Sequence, residues 1–274
     1  MADLARAFVS VDEMANPALL VQEMDETSKW GATRSLREVA KTRLQIMAGY
    51  RILDVGCGPG DAAIALARGV SPGGRVVALD ISRTMAGEAA LRAAAGAPVD
   101  CVIGDALHLA FPDSSFDACR SERTLQWLED PARGLREMVR VTRPGGSVVV
   151  IDTDWGGFVL QHPNVDLTER LHQLWLDTGP GTRIGRQLRG LFVQEGLNDV
   201  VVTSQCHLFA DWNPRKRSLP PGFPPFPQLL HHLVLRGELA ESDASKWLRQ
   251  LAVTASDGSF CAAHTLFLVA GRKL

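Results

Sequence analysis

The chain has no Cys-x-x-Cys pair, no charge excess and no apolar run approaching the ~18 residues of a membrane span. Each absence excludes something. The five cysteines (Cys57, Cys101, Cys119, Cys206, Cys261) are odd in number and mostly sit in apolar, strand-like stretches. They read as small reduced core residues. With 29 basic against 31 acidic residues, no global field draws the protein to nucleic acid or anionic lipid. The short cluster Arg215-Lys216-Arg217, followed by prolines, reads as a solvated loop before it reads as a phosphate site. Residues 1–6 lack a basic-then-apolar leader pattern, so a soluble, cytoplasmic setting with no membrane contact is expected. His172 and the pair His231-His232 have no third ligand at a metal-like spacing, so no metal is expected. Neither an internal repeat nor a long low-complexity segment is present.

What is present is enough apolar sequence, 46%, to fill the core of one large α/β domain with insertions or of two small ones. Apolar residues at helical spacing over 16–25 and 33–47 predict two leading helices. Five strands then alternate with helices: 51–55, 75–80, 100–103, 117–120 and 147–152. Ser82 is a plausible N-cap, and Ser71-Pro-Gly-Gly74 and Arg143-Pro-Gly-Gly146 read as turns. That alternation predicts a doubly wound, mostly parallel sheet with helices on both faces. The second half breaks the rhythm. Residues 155–181 hold few periodic positions and read as irregular, 183–194 reads as a helix, and 199–208 and 260–269 alternate as strands. Between those strands, 210–258 opens with six prolines, which exclude a regular helix there, and continues with helical stretches near 229–236 and 242–252. This segment is expected to form an inserted cover over the sheet edge.

Residues 52–60 read Ile-Leu-Asp-Val-Gly-Cys-Gly-Pro-Gly, a buried strand running into three glycines at alternate positions. Glycine lets a ligand touch backbone that a Cβ would block. Twenty residues past Gly60 a second apolar run ends in Asp80, placed to accept hydrogen bonds from a ribose diol. The pair points to an adenosine-containing cofactor. A dinucleotide site would show Gly-x-Gly-x-x-Gly, whereas Gly56-x-Gly58-x-Gly60 is one residue shorter and is preceded by Asp54. With Gly104-Asp105-Ala106, Phe111-Pro-Asp-x-x-Phe-Asp117 and Leu135-Arg-Glu-x-x-Arg-Val-x-Arg-Pro-Gly-Gly146, the pattern over 51–152 resembles the class I S-adenosylmethionine-dependent methyltransferases. Within them it is similar to the branch holding the ubiquinone and menaquinone C-methyltransferases and many small-molecule methylases.

The resemblance implies a Rossmann-like, seven-stranded sheet, with residues 1–48 as lid helices and 49–274 as the methyltransferase domain, the 210–258 cover included. It implies S-adenosylmethionine as donor and S-adenosylhomocysteine as product. Asp54, Gly56, Cys57, Gly58, Gly60 and Gly104 would form the cradle around it, Gly56 and Gly58 lying against the methionine part. Asp80 would take the ribose, Asp105 the adenine amino group, and Ile81 and Ala106 would sandwich the adenine. Arg120 and Ser121 would offer backbone carbonyls to the ammonium. Asp105 could equally be a turn or helix cap, and Cys57 reads as a small loop residue, not a nucleophile.

Methyl transfer needs alignment above all, and a base only if the acceptor loses a proton as it reacts. Base candidates follow the fifth strand, Asp152, Asp154 and His162, with Glu122 after the fourth. The aspartates could instead fix the loop, and His162 could be a loop residue without chemistry. Trp127 stands where relatives often carry a histidine, which leaves a base there in doubt. Trp30, Trp127 and Trp155 are candidate walls of an acceptor pocket, or core residues. A small, partly apolar acceptor and a monomer or homodimer are expected, with no nucleic-acid partner. The alternative is a methyltransferase-fold enzyme that keeps the cofactor without methylating, as a cyclase or decarboxylase.

Overall fold

In the computed structural model, residues 10–209, 212–215 and 219–274 are described. Lys216 and Arg217 of the basic cluster, the first nine residues of the expected lid and positions 210, 211 and 218 lie outside them. The chain order is α1 (Ala18–Ser28), α2 (Gly31–Leu44), β1 (Arg51–Val55), α3 (Asp61–Val70), β2 (Arg75–Asp80), α4 (Arg83–Ala93), β3 (Val99–Ile103) and β4 (Phe116–Glu122). There follow α5 (Pro131–Val141), β5 (Thr142–Leu160), α6 (Val165–Leu176), α7 (Ile184–Gln194), β6 (Asn198–Phe209), α8 (Phe226–Leu235), α9 (Glu241–Asp257) and β7 (Ala262–Arg272). Among the described residues, no helix is long and apolar enough to cross a membrane.

The strands form one seven-stranded sheet in the order β3-β2-β1-β4-β5-β7-β6. β1 to β5 pair in parallel, and β7 runs antiparallel to both of its neighbours. Two-residue alternation divides each strand between two apolar layers. Ile52, Val76, Ala78, Val149 and Ile151 face one layer with Leu36, Leu44 and Leu66, while Leu53, Val77, Leu79, Val148 and Val150 face the other with Leu135, Met138 and Phe192. Strand order reverses between β1 and β4, so the loops at their carboxyl ends splay and leave a crevice. Local signals set the helices beside it. Gly60 at φ 87° opens α3, the Ser82 side chain accepts from Met85 N to start α4, and Asp130 caps α5 ahead of Pro131.

Three expectations change. Residues 155–181 are largely regular: β5 runs on to Leu160 with a bulge between Asp154 and Val159, and α6 follows under an Asn164 cap. The bulge absorbs Gly156 and Gly157 without ending the strand. Cys206 and Cys261 are exposed rather than core residues. Of the leading helices, α2 belongs to the sheet's own layer through Leu36, Ala40 and Leu44, whereas α1 lines the crevice.

The lengthened β5, β6 and β7 carry a third apolar cluster beyond the sheet. Phe158, Leu171, Phe209, Phe226 and Trp247 form its centre, drawn from β5 and β6 and from α6, α8 and α9. Trp247 Nε1 donates to Thr168 Oγ1 at 3.0 Å, tying α9 to α6.

Candidate active site

A cavity of about 1260 Å³ opens at the carboxyl ends of β1, β2 and β4 and reaches under the cover. Single small-ligand pockets run ~300–1,000 Å³, so this one has room for two molecules side by side. Its first half is the glycine loop. Gly56 has φ 70°, and a Cβ there would lie 2.1 Å from Thr124 Oγ1, inside a wall rather than over it. Gly58 has φ 53°, and its Cβ would meet only the mobile end of Met24 on α1. Gly60 is a packing residue, since a Cβ would lie 2.8 Å from that of Ala89 on α4. Gly104 does the same against Leu79.

Asp80 bridges this loop to the next one. Its Oδ2 accepts from Gly58 N at 2.8 Å and its Oδ1 from Ser82 N at 2.9 Å. Each oxygen keeps a second lone pair on the cavity side. Burial raises the Asp80 pKa against the lowering effect of these backbone bonds. Ile81 lines the same cavity while 50% exposed, an apolar face left open. Ala106 lies beside it, buried. Asp105 is held in a local turn, with Oδ1 accepting from Leu107 N at 2.8 Å and Oδ2 3.2 Å from His108 Nδ1. The turn reading of Asp105 is therefore real, and its carboxylate still lines the cavity.

A buried charge network fills the floor. Arg37 on α2 grips Glu122 through two bonds of 2.8 and 2.7 Å, and Arg120 reaches Glu122 at 2.7 Å and Asp54 at 3.2 Å. Burial pushes Glu122 up, but Arg37 and Arg120 outweigh it and hold the carboxyl well below the usual range. Asp54 is raised by burial, against the pull of Arg120. Glu122, one of the base candidates, is therefore a permanently ionised anchor. Asp54 Oδ2 is buried without a hydrogen-bond partner, an acceptor aimed at nothing the chain supplies. Ser121 sits below the floor, its hydroxyl donating to Val55 O at 2.9 Å. Cys57 is buried, and burial pushes its thiol well up, so it is no nucleophile.

The lid is clamped by charge. Arg92 on α4 binds Asp25 of α1 through two bonds, and Asp61 and Glu88 through one each. Asp12 accepts from Ser82 Oγ, Arg83 N and Thr84 N at the start of α4. Burial alone would raise Asp12; these bonds outweigh it and depress its pKa.

The second half of the cavity is aromatic. Trp30, Trp127, Trp155 and Trp175 line it, with Phe223 of the cover. Trp155 Nε1 donates to Gln126 Oε1 at 2.8 Å and Trp155 O binds His172 Nε2 at 2.7 Å, so the indole is fixed. The Leu125–Trp127 turn is held from beneath by Asp152, whose Oδ2 accepts from Gln126 N at 3.3 Å, and from the side by Gly181. Lid and cover meet at Trp30: a Cβ on Gly222 would lie 2.5 Å from its ring, and Gly222 N donates to Glu23.

The structure does not bring the expected bases together. Asp154 turns away from the cavity to Arg186, whose Nη2 lies 2.7 Å from Oδ2. His162 is a core residue of the cover, stacked on Trp247 at 4.3 Å, with Nδ1 accepting from Asn164 N and Nε2 left to donate to Trp247 O at 3.1 Å. Both ring nitrogens are spent on backbone, and burial lowers its pKa. Asp152 is wholly buried beneath the turn. Two cavity residues that sequence reasoning missed are Arg123 and His264. Neither belongs to a motif; only the register of β7 and the end of β4 bring them into the cavity wall.

A methyltransferase domain family matches residues 53–150. The chain is 32% identical over 251 residues to an uncharacterized 37.1 kDa protein of transposon TN4556 from Streptomyces fradiae, covering 91% of this chain and 70% of that one. It is 30% identical to a demethylmenaquinone methyltransferase of Staphylococcus epidermidis over 61% of this chain and 76% of that one. A second demethylmenaquinone methyltransferase, from Geobacillus kaustophilus, is 42% identical, with the match spanning about half of that protein, 51%, and 43% of this chain. Among solved structures, the YcgJ protein of Bacillus subtilis superposes with a TM-score of 0.59 at 18% identity, over 86% of this chain and 97% of that one. The [4+2]-cyclase SpnF superposes at 0.51 and 21%, over 88% and 81%; both share the fold. The chain belongs to the class I S-adenosylmethionine-dependent methyltransferases.

Proposed function

We propose that the chain transfers the methyl group of S-adenosylmethionine to a small, partly apolar acceptor seated in the tryptophan-lined half of the cavity. The observation carrying this reading is that one cavity joins the glycine loop to the aromatic wall. The residues present fit the donor. Gly58 leaves backbone bare for its methionine part beside the Gly56–Thr124 wall, and the orphaned Asp54 Oδ2 suits its ammonium. Asp80 has lone pairs left for a ribose diol, and Ile81 and Ala106 offer apolar faces to an adenine. When bound, S-adenosylmethionine supplies a methyl group already activated on sulfonium. The chain then has to align the acceptor with that methyl and exclude water. Clamping of α1 by Arg92 and the Trp30–Gly222 contact are the means of exclusion.

A flat ring of the kind named for the demethylmenaquinone methyltransferases suits the tryptophan walls. Nearly balanced charge favours a small molecule over nucleic acid, in a soluble monomer or homodimer working in the cytoplasm. The test is a turnover assay with S-adenosylmethionine and a panel of hydroxylated naphthalene and quinol acceptors. S-adenosylhomocysteine should form mole for mole with methylated product. Acceptor conversion without it would support the cyclase or decarboxylase alternative instead. Failure of the purified protein to bind S-adenosylhomocysteine refutes both.

A further inference from the structure

Three groups of the acceptor half carry buried polar atoms without partners, Trp175 Nε1, Arg123 Nε and the His264 ring nitrogens, and the needs of the last two are opposite. His264, on β7, is 1% exposed and lines the cavity, yet neither of its ring nitrogens has a hydrogen-bond partner. Its neighbours are rings: Trp155 at 4.9 Å edge-on, Phe209 at 5.2 Å, Trp30 at 5.3 Å and His207 at 5.5 Å. Arg123 follows the last residue of β4, is partly buried with its side chain 17% exposed, and also lines the cavity. Its Nε has no hydrogen-bond partner, the Glu122 carboxylate standing 4.0 Å away, and its guanidinium lies 5.8 Å from the Trp30 ring centre. Its backbone is held at φ 53°, a left-handed conformation uncommon for a non-glycine residue.

The proton state of the imidazole is settled by its surroundings. Burial drives the His264 pKa well down, and His207 and Arg123 add to it. A neutral imidazole offers one acceptor nitrogen, and a guanidinium offers only donors. A carboxylate can answer Arg123 but cannot donate to His264. An alkylammonium can donate to His264 but is repelled by Arg123. A hydroxyl can do both, donating to the imidazole while accepting from the guanidinium.

Resting on the methyltransferase reading above, we propose that His264 and Arg123 together recognise a hydroxyl on a flat ring, which makes a phenol or enol the acceptor class and His264 the group that takes its proton. Position supports this. Arg123 is bonded to Thr124, the residue that packs on Gly56, so the hydroxyl is bound next to the wall of the donor half. The O–H proton passes to the imidazole while Arg123 steadies the developing oxyanion. The electron pair released to the oxygen forms the new bond to the methyl carbon; where the conjugated ring carbon attacks instead, that carbon then loses its C–H proton to solvent and the oxygen regains one. The old methyl–sulfur pair stays on sulfur, and the imidazolium loses its proton to solvent as product leaves.

The probes are 2-naphthol and its ether 2-methoxynaphthalene, titrated by tryptophan fluorescence into protein saturated with S-adenosylhomocysteine. Wild type should bind 2-naphthol at least about tenfold tighter, the discrimination expected for a hydrogen bond to a buried group. His264→Phe should bring the ratio near one, His264→Asn should restore part of it, and Arg123→Met should lower it while leaving affinity for the ether unchanged. Binding of S-adenosylhomocysteine by each variant reports that it has folded and that the donor site is intact. Wild type that binds the donor product yet ignores the hydroxyl, or binds neither probe, overturns the proposal. So does a His264→Phe protein with its preference intact. Loss of S-adenosylhomocysteine binding in wild type would instead refute the methyltransferase reading.

Discussion

Replacing Asp152 by Asn should make the protein more stable than wild type at high pH and leave it equal or slightly less stable at low pH. The carboxyl is fully buried at the point where β5 passes under the Leu125–Trp127 turn, and burial raises its pKa from 3.8 to about 7. Backbone bonds from Thr153, Gln126 and Leu125 and the charge of Arg123 oppose the shift without cancelling it. A folded-state pKa above the unfolded one means that the folded protein holds the proton more tightly. Stability from that proton is complete below about pH 4 and drains away as pH rises through about 7. At ~1.36 kcal/mol per unit the whole loss is roughly 4 kcal/mol, of which roughly 2.5 kcal/mol falls between pH 5 and pH 8. Asparagine cannot ionise and keeps one acceptor oxygen, so its own cost, about 1 kcal/mol for one backbone N–H, does not vary with pH. At about 2–4 °C per kcal/mol for a chain of this size, the melting temperature of wild type relative to Asp152→Asn should fall by roughly 5–10 °C between pH 5 and pH 8. Thermal melts of both ligand-free proteins across that range measure it. A difference that stays flat with pH would mean that Asp152 is ionised in the folded protein and the burial reasoning is wrong.

Gly56→Ala should abolish binding of S-adenosylhomocysteine and cost about 2–4 kcal/mol of stability, because its Cβ has only the rigid Thr124 to displace and φ is 70°. Gly58→Ala should be milder, since Met24 can swing aside; calorimetric titration of both variants reads the contrast, and equal effects would count against the wall geometry. Asp80→Ala should weaken S-adenosylhomocysteine binding by tenfold or more through lost bonds to a charged acceptor, and near-normal affinity would remove Asp80 from the ribose site. His162→Leu should lower the melting temperature by stranding Trp247 O and Asn164 N, while turnover of the remaining folded enzyme stays within a few-fold of wild type. A stable His162→Leu protein with no turnover would return His162 to the chemistry.

The parallel half of the sheet was legible because its information is local. Alternation within 52–55, 76–79 and 148–151 assigns each residue to one of two apolar layers, and Gly60, Ser82 and Asp130 start their helices by contacts within three residues. Helix α6 was missed although Leu167, Leu171 and Trp175 stand four apart, because the glycines on either side looked like breaks. A bulge needs a partner strand to absorb the extra residues, and nothing within 155–181 announces that β7 is that partner.

The same division runs through the site. The donor half is built from one contiguous loop and the tips of its neighbours, where requirements for positive φ and bare backbone dictate residue type position by position. The acceptor half takes residues from α2's cap, the turn after β4, the end of β5, α6, the cover and β7, so no spacing in the chain records it. Aspartates and a histidine following β5 were the natural candidates by proximity, and folding engages each of them elsewhere: Asp152 on a turn, Asp154 Oδ2 on Arg186 with Oδ1 buried away from the cavity lining, His162 on two backbone groups. A side chain whose hydrogen bonds are already used within the protein has little left for a substrate. In this protein the informative polar groups are therefore those that line the cavity with a buried atom left unsatisfied, Asp54, Arg123, Trp175 and His264. Each would cost stability for no return unless a ligand completes it.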